Sequence, residues 1–498
     1  MALVERVGNR LPDPATLFVL GCLLVFLGSG LAAWSGWSVP HPSKPGETVS
    51  AVSLMSSEGI RWIWLNAVRN FLDFHPLGVV LVAMLGIGVA ERTGLFAALL
   101  KLVVLATPEK LLTPAVIFAG VNASAAADAG YVVLPPLVAG VYAALGRSPL
   151  VGVAAVTFGI AGGFSANLAI TSLDPLLQGI TQQAAQIIDP NVHVRVDCNW
   201  YFMIASTFFL TFLGWGVTAW WVEPRYDRAA IARQLSVAGI EAVGKERLTT
   251  DEKRGLLAAG VVALLVVAAL LAMILVPGWP LAGDYERAPG RFVPAWTEAL
   301  VPILFVGFLL PGVAYGIATR SVRSDRDVAS RMGESMAAMG TYLVLAFFAG
   351  QFIKWFDRSN LGLMLAVEGV DLLKRFALPH AVLIVAIVGF TAVVNLVMSS
   401  ASAKWAILAP VMVPLFMGLG LSPEYIQVAY RVGDSCTNPI APLNAYLVII
   451  LVVIRRHEPS AGIGTIIALL LPYTIATLVA WTGFLLAWHA AGVPLGPR

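Results

Sequence analysis

A dense group of amide, hydroxyl and charged side chains interrupts an apolar stretch of this chain, residues 394–416. The first half of that stretch contains Asn395, Ser399, Ser400, Ser402 and Lys404. Lipid cannot hydrogen-bond such groups, so they must face protein or a water-filled cavity. Amide and hydroxyl oxygens also suit hard cations such as sodium. The pattern predicts an ion or substrate site, although small polar residues also tighten the packing between membrane helices.

Two ionisable residues, Arg431 and Asp434, lie three positions apart in the next apolar segment. An acid inside a membrane is costly, so we predict a functional role for Asp434, as a sodium ligand or a proton carrier. The guanidinium of Arg431 offers a planar fork to a carboxylate. Arg431 could instead only neutralise Asp434 on the same helix face. The sequence leaves both interpretations open.

An indole ring, that of Trp405, directly follows Lys404. The ring could stack on an aromatic substrate, or it could be a packing residue inside a helix bundle. The sequence assigns no role to Lys404.

Polar residues also interrupt two apolar segments in the first half of the chain. They are, in order, Asn122, Ser124, Asp128, Asn167 and Asp174. The first three are the counterparts of the group at 395–402, and Asn167 corresponds to Asn438 in the second half. The two asparagines Asn167 and Asn438 could be simple caps of half-helices. Asp174 follows the interruption at 161–172.

The composition is that of a polytopic membrane protein. Hydrophobic residues make up 58% of the 498 residues and charged residues 12%, with a mean hydropathy of +0.82. A soluble protein carries about 25% charged residues. The net charge of +3 gives no sign of a nucleic-acid partner, and the three scattered cysteines predict neither a disulfide framework nor a metal site. No nucleophile–base or metal-ligand motif indicates an enzyme.

The apolar runs predict an all-α fold with nine membrane crossings. A spanning helix needs about 20 apolar residues, and the runs that qualify are 15–36, 72–90, 149–176, 200–222, 255–277, 296–318, 336–357, 424–454 and 462–489. Two more runs, 110–145 and 379–420, have polar residues at their middle and are long enough to enter the membrane and return. We predict that both are re-entrant hairpins.

The charges predict the orientation of these segments. With the N-terminus in the cytoplasm, the inside segments carry most of the 32 Lys and Arg residues, and the C-terminus lies outside. The first hairpin then enters from the cytoplasm and the second from the outside. Each is followed by a broken helix, which indicates an inverted repeat with units at about 72–222 and 296–489. Residues 223–254 form a cytoplasmic connector within a single transporter domain.

Three motifs identify the chain as similar to the AbgT family of bacterial p-aminobenzoyl-glutamate transporters. They are SAKWAILAP (402–410), YRVGDS (430–435) and TNPIAP (437–442). The resemblance covers nearly the whole chain and implies the nine-crossing, two-hairpin fold and a homodimer with one pathway in each protomer. It also implies a set of residues linked to transport: Asp174, Ser402, Trp405, Pro423, Arg431, Asp434 and Pro442. Asn395 with Asp434 resembles the family's proposed sodium site.

The resemblance further implies transport of p-aminobenzoyl-glutamate across the bacterial inner membrane and, for some members, export of sulfonamide antimetabolites. Transport would be driven by a sodium or proton gradient through alternating access, with no cofactor and with lipid around the protein. The two carboxylates of the substrate suit Arg431 and its ring suits Trp405. A transporter of dicarboxylates or other organic anions is the alternative, because many aromatic acids would fit these residues.

Overall fold

The computed structural model describes residues 14–40, 46–74, 76–123, 129–226, 248–288, 291–398, 400–441, 444 and 446–497. Within these ranges the chain is almost wholly helical. The helices of the first half are α1 (Pro14–Trp34), α2 (Ser57–Leu72), α3 (Pro76–Arg92), α4 (Leu95–Leu105), α5 (Leu112–Asn122), α6 (Ala129–Ala144), α7 (Pro149–Gly162), α8 (Leu173–Ala185) and α9 (Trp200–Val217).

The helices of the second half are α10 (Thr250–Leu275), α11 (Ala295–Glu298), α12 (Leu300–Ala318), α13 (Asp325–Ala338), α14 (Gly340–Arg358), α15 (Leu361–Lys374), α16 (His380–Asn395), α17 (Ala401–Met417), α18 (Pro423–Thr437), α19 (Tyr446–Arg455) and α20 (Ile463–Ala490). Two small antiparallel strand pairs join helices, β1 (Ser38–Pro40) with β2 (Thr48–Ser50) and β3 (Asp284–Ala288) with β4 (Arg291–Pro294).

Several of the described helices are long and apolar enough to cross a membrane. Five qualify singly: Ala15–Trp34, Trp200–Arg225, Thr250–Leu275, Leu300–Ala318 and Ile463–Ala490. The number rises to seven if the bent pairs α3 with α4 and α13 with α14 each make one span. The bends at these pairs are 58° and 46°. The expected class, an all-helical chain with many membrane spans, is therefore confirmed.

Some helices lie where the sequence predicted connecting segments. They are α2, α4 and α15, which begin after the turns at Ser56, Gly94 and Asn360. Gly94 has a φ of +91°, in the left-handed region that glycine adopts without strain, and there the chain leaves α3 and begins α4. A membrane crossing needs about 20 apolar residues, and each of these helices is shorter than that. Counting apolar runs of that length therefore does not predict them.

The two interrupted apolar runs each form a pair of short helices. The first run gives α5 and α6, and the second gives α16 and α17. Asn122 is the last residue of α5, and Asn395 is the last residue of α16. In both halves of the chain the polar interruption therefore follows an asparagine at the end of the first short helix.

Each of these helix pairs is followed by a broken helix, as predicted. In the first half, α7 ends at Gly162 and α8 begins at Leu173. In the second half, α18 ends at Thr437, a single 3₁₀ turn covers Asn438–Ile440, and α19 begins at Tyr446. Pro439 lies in that turn and has no N–H to continue the helical ladder.

Close backbone contact holds each short helix against the broken helix that follows it. A Cβ built on Gly159 of α7 would lie 2.6 Å from the carbonyl oxygen of Ile117 in α5. A Cβ on Gly433 of α18 would lie 2.4 Å from the carbonyl oxygen of Val388 in α16. Real Cβ atoms do not approach a carbonyl oxygen this closely, so both helix pairs need glycine at the contact.

The two halves are interlocked. Helix α8 of the first half packs on α17 of the second, and α19 of the second packs on α6 of the first. The rings of Tyr131 in α6 and Tyr446 in α19 are stacked 4.2 Å apart and nearly parallel. Side chains from both halves are therefore brought together at the two helix breaks.

Candidate functional site

A buried ion pair joins Lys404 and Asp434. Lys404 lies in the first turn of α17 and Asp434 near the end of α18, and their Nζ and Oδ1 atoms are 2.6 Å apart. Their side chains are 0% and 1% exposed. Such a pair must be satisfied by protein groups, because burial removes both charges from bulk water. Lys404, which had no predicted role, is thus the countercharge of Asp434.

The amide of Asn395 holds this pair in place. Its Nδ2 lies within hydrogen-bonding distance of the Asp434 carbonyl oxygen at 2.8 Å and of Thr437 Oγ1 and Asn438 Oδ1, both at 2.9 Å. Its Oδ1 accepts from Lys404 Nζ. The two residues of the predicted cation site, Asn395 and Asp434, therefore both contact a single ammonium group.

A second buried ion pair joins the two halves of the chain. Arg431 Nη1 lies 2.7 Å from Asp174 Oδ1, and Nη2 donates to the carbonyl oxygen of Ser165 at 3.0 Å. The other oxygen of Asp174 accepts from the backbone N–H of Thr171 at 2.7 Å and from its hydroxyl at 3.0 Å. Arg431 is thereby anchored to both sides of the first helix break.

This arrangement corrects one interpretation of the sequence. The three-residue spacing allows Arg431 and Asp434 to neutralise each other on one helix face. That interpretation is wrong, because Arg431 pairs with Asp174 and Asp434 pairs with Lys404. Tertiary packing brings Lys404 and Asp174 to these positions, and a single sequence does not reveal it. The two charges of α18 therefore belong to two separate ion pairs.

One donor of Arg431 remains available. Its Nε is buried and finds no hydrogen-bond acceptor among the described residues. A buried donor without a partner costs roughly 1–3 kcal/mol. The guanidinium is thus held by Asp174 and Ser165, and its Nε–H is left without an acceptor among the described residues.

The first helix break is held by polar contacts from both halves. The backbone N–H of Leu168 donates to Asn122 Oδ1 at 3.2 Å, and that of Ser165 donates to Ser435 Oγ at 3.2 Å. Asn167 is buried, and its Nδ2 lies 3.5 Å from the carbonyl oxygen of Phe164. Asn122 and Asn167 thus both contact the unwound backbone of the first break, and for Asn167 this agrees with the expectation that it caps a half-helix.

The indole of Trp405 is fully buried beside the ion pairs. Its ring stacks on Tyr430, with centroids 4.3 Å apart and planes inclined by 28°. Its N–H donates to Thr181 Oγ1 of α8 at 2.9 Å. In this conformation one face of Trp405 is covered by Tyr430 of the same half, and its bond to Thr181 of α8 joins the two halves.

A hydrogen-bond chain leads from Trp405 toward a cavity. Thr181 Oγ1 is 2.6 Å from Gln427 Oε1, and Gln427 Nε2 is 2.9 Å from Asn199 Oδ1 and 3.6 Å from Cys198 Sγ. Cys198 borders a cavity of about 400 Å³, whose other lining residues are His193, Arg195, Ser422, Glu424, Tyr425, Pro494, Leu495, Gly496 and Pro497. Trp405 is therefore linked by a chain of hydrogen-bonded side chains to a residue that lines this cavity.

The other predicted residues have varied positions. Ser400 caps α17, its hydroxyl lying 3.4 Å from the backbone N–H of Ala403, and Ser402 is half-buried in the first turn of that helix. Pro423 is the first residue of α18, where its missing N–H costs no helical hydrogen bond. Four predicted residues lie outside the described part of the chain: Ser124, Asp128, Ser399 and Pro442.

Sequence reasoning missed several residues that complete the site. Thr437, Ser165, Thr171 and Thr181 bond directly to predicted residues, and Gln427 bonds to Thr181. Thr437 could have been found, since it lies one helical turn after Gly433 beside Asp434. The others are isolated polar residues in apolar segments, and only the fold brings them to the site.

The assembled site has the chemistry of a charge-balanced core. Two cations and two anions are buried where helices from both halves meet. The carboxylate of Asp434, the amide oxygen of Asn395 and the carbonyl oxygen of Met398 form a set of oxygen donors that suits a hard cation. Arg431 provides a fork that suits a carboxylate.

Comparison with known proteins shows relatives over the full length of the chain. Residues 1–498 match the profile of the family described as "AbgT putative transporter family". The p-aminobenzoyl-glutamate transport protein of Escherichia coli K12 is 35% identical over 496 residues, which cover 99% of this chain and 95% of that protein.

Two solved structures share the fold. The YdaH transporter of Alcanivorax borkumensis, described as having an unusual topology, superposes with a TM-score of 0.89 at 40% identity, covering 98% of this chain and 100% of that one. MtrF of Neisseria gonorrhoeae, described as illuminating a class of antimetabolite efflux pumps, superposes with a TM-score of 0.88 at 40% identity. That match covers 98% of this chain and 97% of MtrF.

Proposed function

Because this chain belongs to the AbgT transporter family, we propose that it carries p-aminobenzoyl-glutamate across the bacterial inner membrane, driven by a sodium or proton gradient. The Escherichia coli relative is a p-aminobenzoyl-glutamate transport protein. The observation that best supports the proposal is the pair Arg431–Asp174, a buried ionic contact between the two halves of the chain at a helix break.

Alternating access gives that contact a function. Substrate and ion sites of secondary transporters lie where broken helices of two repeats meet. Arg431 belongs to α18 of the second half and Asp174 to α8 of the first. A substrate carboxylate that bound the Nε–H of Arg431 would share the guanidinium charge with Asp174 and so weaken the contact between the halves.

The substrate chemistry fits the groups at the site. p-Aminobenzoyl-glutamate has two carboxylates and an aromatic ring. The unpartnered Nε of Arg431 can donate to a carboxylate. Trp405 and Tyr430 lie beside Lys404 and Arg431 and stack on each other in this conformation, and their separation would give the substrate ring an aromatic surface. Thr181 and Gln427, which are hydrogen-bonded to each other, lie between Trp405 and a residue that lines the adjacent cavity.

The coupling cation would bind at Asp434 and Asn395. Sodium prefers oxygen ligands, and this position provides the Asp434 carboxylate, the Asn395 amide oxygen and the Met398 carbonyl oxygen. A proton on Asp434 is the other form of coupling that we propose for the same carboxylate. Both use an acid that the fold keeps away from bulk water.

We propose the nine-crossing fold with two opposed re-entrant hairpins as the framework of this mechanism. Helix α5 has 11 residues and so spans about 16 Å, about half of the roughly 30 Å hydrocarbon core. The series of two short helices and a broken helix occurs in both halves, as an inverted repeat would require. The excess of basic residues in the inside segments supports a cytoplasmic N-terminus.

We further propose that the protein works as a homodimer and that sulfonamide antimetabolites are a second class of cargo. The dimer is an implication of the family resemblance. The second cargo rests on the description of the Neisseria gonorrhoeae relative as one of a class of antimetabolite efflux pumps. A sulfonamide antimetabolite also carries an aromatic ring, on which Trp405 and Tyr430 could stack.

Competition for flux distinguishes this function from dicarboxylate transport. In proteoliposomes, unlabelled p-aminobenzoyl-glutamate should suppress flux of the labelled compound, whereas succinate or citrate at the same concentration should not. The reason is that these acids lack the ring that Trp405 and Tyr430 would contact. Equal competition by succinate would establish the alternative, a carrier of dicarboxylates or other organic anions.

A further inference from the structure

We propose that the Lys404 ammonium is a built-in cation of the coupling site, which sodium must displace in order to bind. The inference rests on the proposed function in one respect, namely that the Asp434–Asn395 position is where the coupling ion binds. It assigns a role to the one charged residue of the apolar stretch 394–416.

The ammonium occupies the donor set that a sodium ion would use. Lys404 Nζ lies 2.6 Å from Asp434 Oδ1 and 3.1 Å from the carbonyl oxygen of Met398, and it also donates to Asn395 Oδ1. These are a carboxylate, a carbonyl and an amide oxygen, the ligand types of hard cations. Sodium could not reach all three while Nζ stays among them.

Charge balance makes the two cations mutually exclusive. Asp434 is the partner of Lys404, and the nearby Arg431 is already balanced by Asp174. A second cation beside Lys404 would leave an uncompensated positive charge in a site where the Lys404 and Asp434 side chains are 0% and 1% exposed. Like charges a few ångströms apart in such surroundings repel strongly. Sodium binding therefore requires Lys404 to leave the carboxylate.

Departure of Lys404 would also free the turn between α16 and α17. Its bond to the Met398 carbonyl connects the first turn of α17 to that turn, and its bond to Asn395 connects it to the end of α16. Replacement of the Lys404 ammonium by sodium would thus break the contacts that hold the turn between α16 and α17.

A purely structural lysine makes a different prediction from a displaceable one. If Lys404 neutralises Asp434 at a position that sodium does not bind, its loss destabilises the protein equally in sodium and in choline. If Lys404 competes with sodium, its loss leaves an anionic site that sodium can fill. A competitor tethered to the site acts at an effective concentration of about millimolar or more, so its removal should tighten sodium binding about tenfold or more.

The test measures the melting temperature of the full-length protein in detergent at fixed pH, in sodium chloride and in choline chloride. Lys404→Met and Lys404→Gln should melt at clearly higher temperature in sodium, with an apparent sodium Kd about tenfold or more below that of the unsubstituted protein. Lys404→Arg keeps the charge and should respond as weakly as the unsubstituted protein. Lys101→Met, which breaks a distant ion pair with Glu252, is the matched control and should show no added response.

A sodium response of Lys404→Met or Lys404→Gln no larger than that of Lys101→Met would overturn the proposal. Lys404→Gln decides the matter if the Met variant does not fold, because its amide can still donate to Asp434 and Asn395. Adding Asp434→Asn to either variant should abolish the sodium response, and its persistence would also contradict the assignment. Substrate flux is measured separately, so absence of flux in the unsubstituted protein would refute the proposed function and leave this result intact.

Discussion

At the scale of single residues, the site consists of two buried ion pairs, for each of which we propose a different role. Arg431 with Asp174 joins the halves and leaves one guanidinium donor without an acceptor among the described residues, to which we propose that the substrate carboxylate binds. Lys404, paired with Asp434, occupies the position that we propose for the coupling cation. Burying four charges costs more than packing apolar side chains of similar size, which fits residues retained for function.

Removing Asp434 alone leaves the Lys404 ammonium buried without a countercharge. We expect Asp434→Ala to abolish substrate flux and to lower the free energy of unfolding by about 3–5 kcal/mol, the usual cost of removing one partner of a buried pair. Flux is measured in proteoliposomes and stability by thermal unfolding in detergent.

The double variant Asp434→Ala/Lys404→Met separates the two effects. It removes both charges, so most of the lost stability should return, while flux should remain absent because the carboxylate is missing. Flux at the unsubstituted rate in the double variant would show that Asp434 has no role in transport.

The sequence predicts the residues of the site better than it predicts which of them form ion pairs with each other. Asn395, Asp174, Arg431 and Asp434 stand out because polar groups inside apolar segments need partners, and the structure brings them to one region. The pairing of Arg431 with Asp174 rather than Asp434 depends on the packing of α8 against α17 and α18. No pattern within one segment contains that information.

At the scale of elements, glycine contacts set the distance between each short helix and its broken partner. Gly159 and Gly433 both face a carbonyl oxygen of the neighbouring helix at a distance that excludes a Cβ. The breaks themselves are visible in the sequence as Gly-Gly at 162–163 and Asn-Pro at 438–439. The bend at Gly94 is not, because a single glycine in an apolar run also occurs within straight helices.

Adding one methyl group tests the contact between α5 and α7. Gly159→Ala is expected to destabilise the protein by about 1–3 kcal/mol, because its Cβ would lie 2.6 Å from the Ile117 carbonyl oxygen and the helices must separate. Thermal unfolding monitored by size-exclusion chromatography measures the effect.

Gly140→Ala in α6 is the matched control. A Cβ at Gly140 meets nothing within 4 Å, so the change should be neutral or stabilise the helix by up to about 1 kcal/mol. Equal melting temperatures for the two variants would show that the α5–α7 contact does not need glycine.

At the scale of the whole molecule, the chain is an all-helical membrane transporter of two interlocked halves. Hydropathy alone predicts that class, because several apolar runs of about 20 residues in one chain are typical of membrane-spanning helices. It does not predict α2, α4 or α15, whose shorter apolar stretches resemble connecting segments. The interlocking of α8 with α17 and of α6 with α19 also required the structure, since it depends on contacts between distant segments.

Flux under imposed ion gradients tests most directly whether this core carries out ion-coupled transport. Purified protein in liposomes is given labelled p-aminobenzoyl-glutamate, with a sodium gradient and a pH gradient applied in separate experiments. We expect saturable flux that at least one gradient drives, that collapses with the matching ionophore, and that is absent in Asp434→Ala/Lys404→Met. Flux that neither saturates nor responds to either gradient would contradict the account and indicate a passive channel.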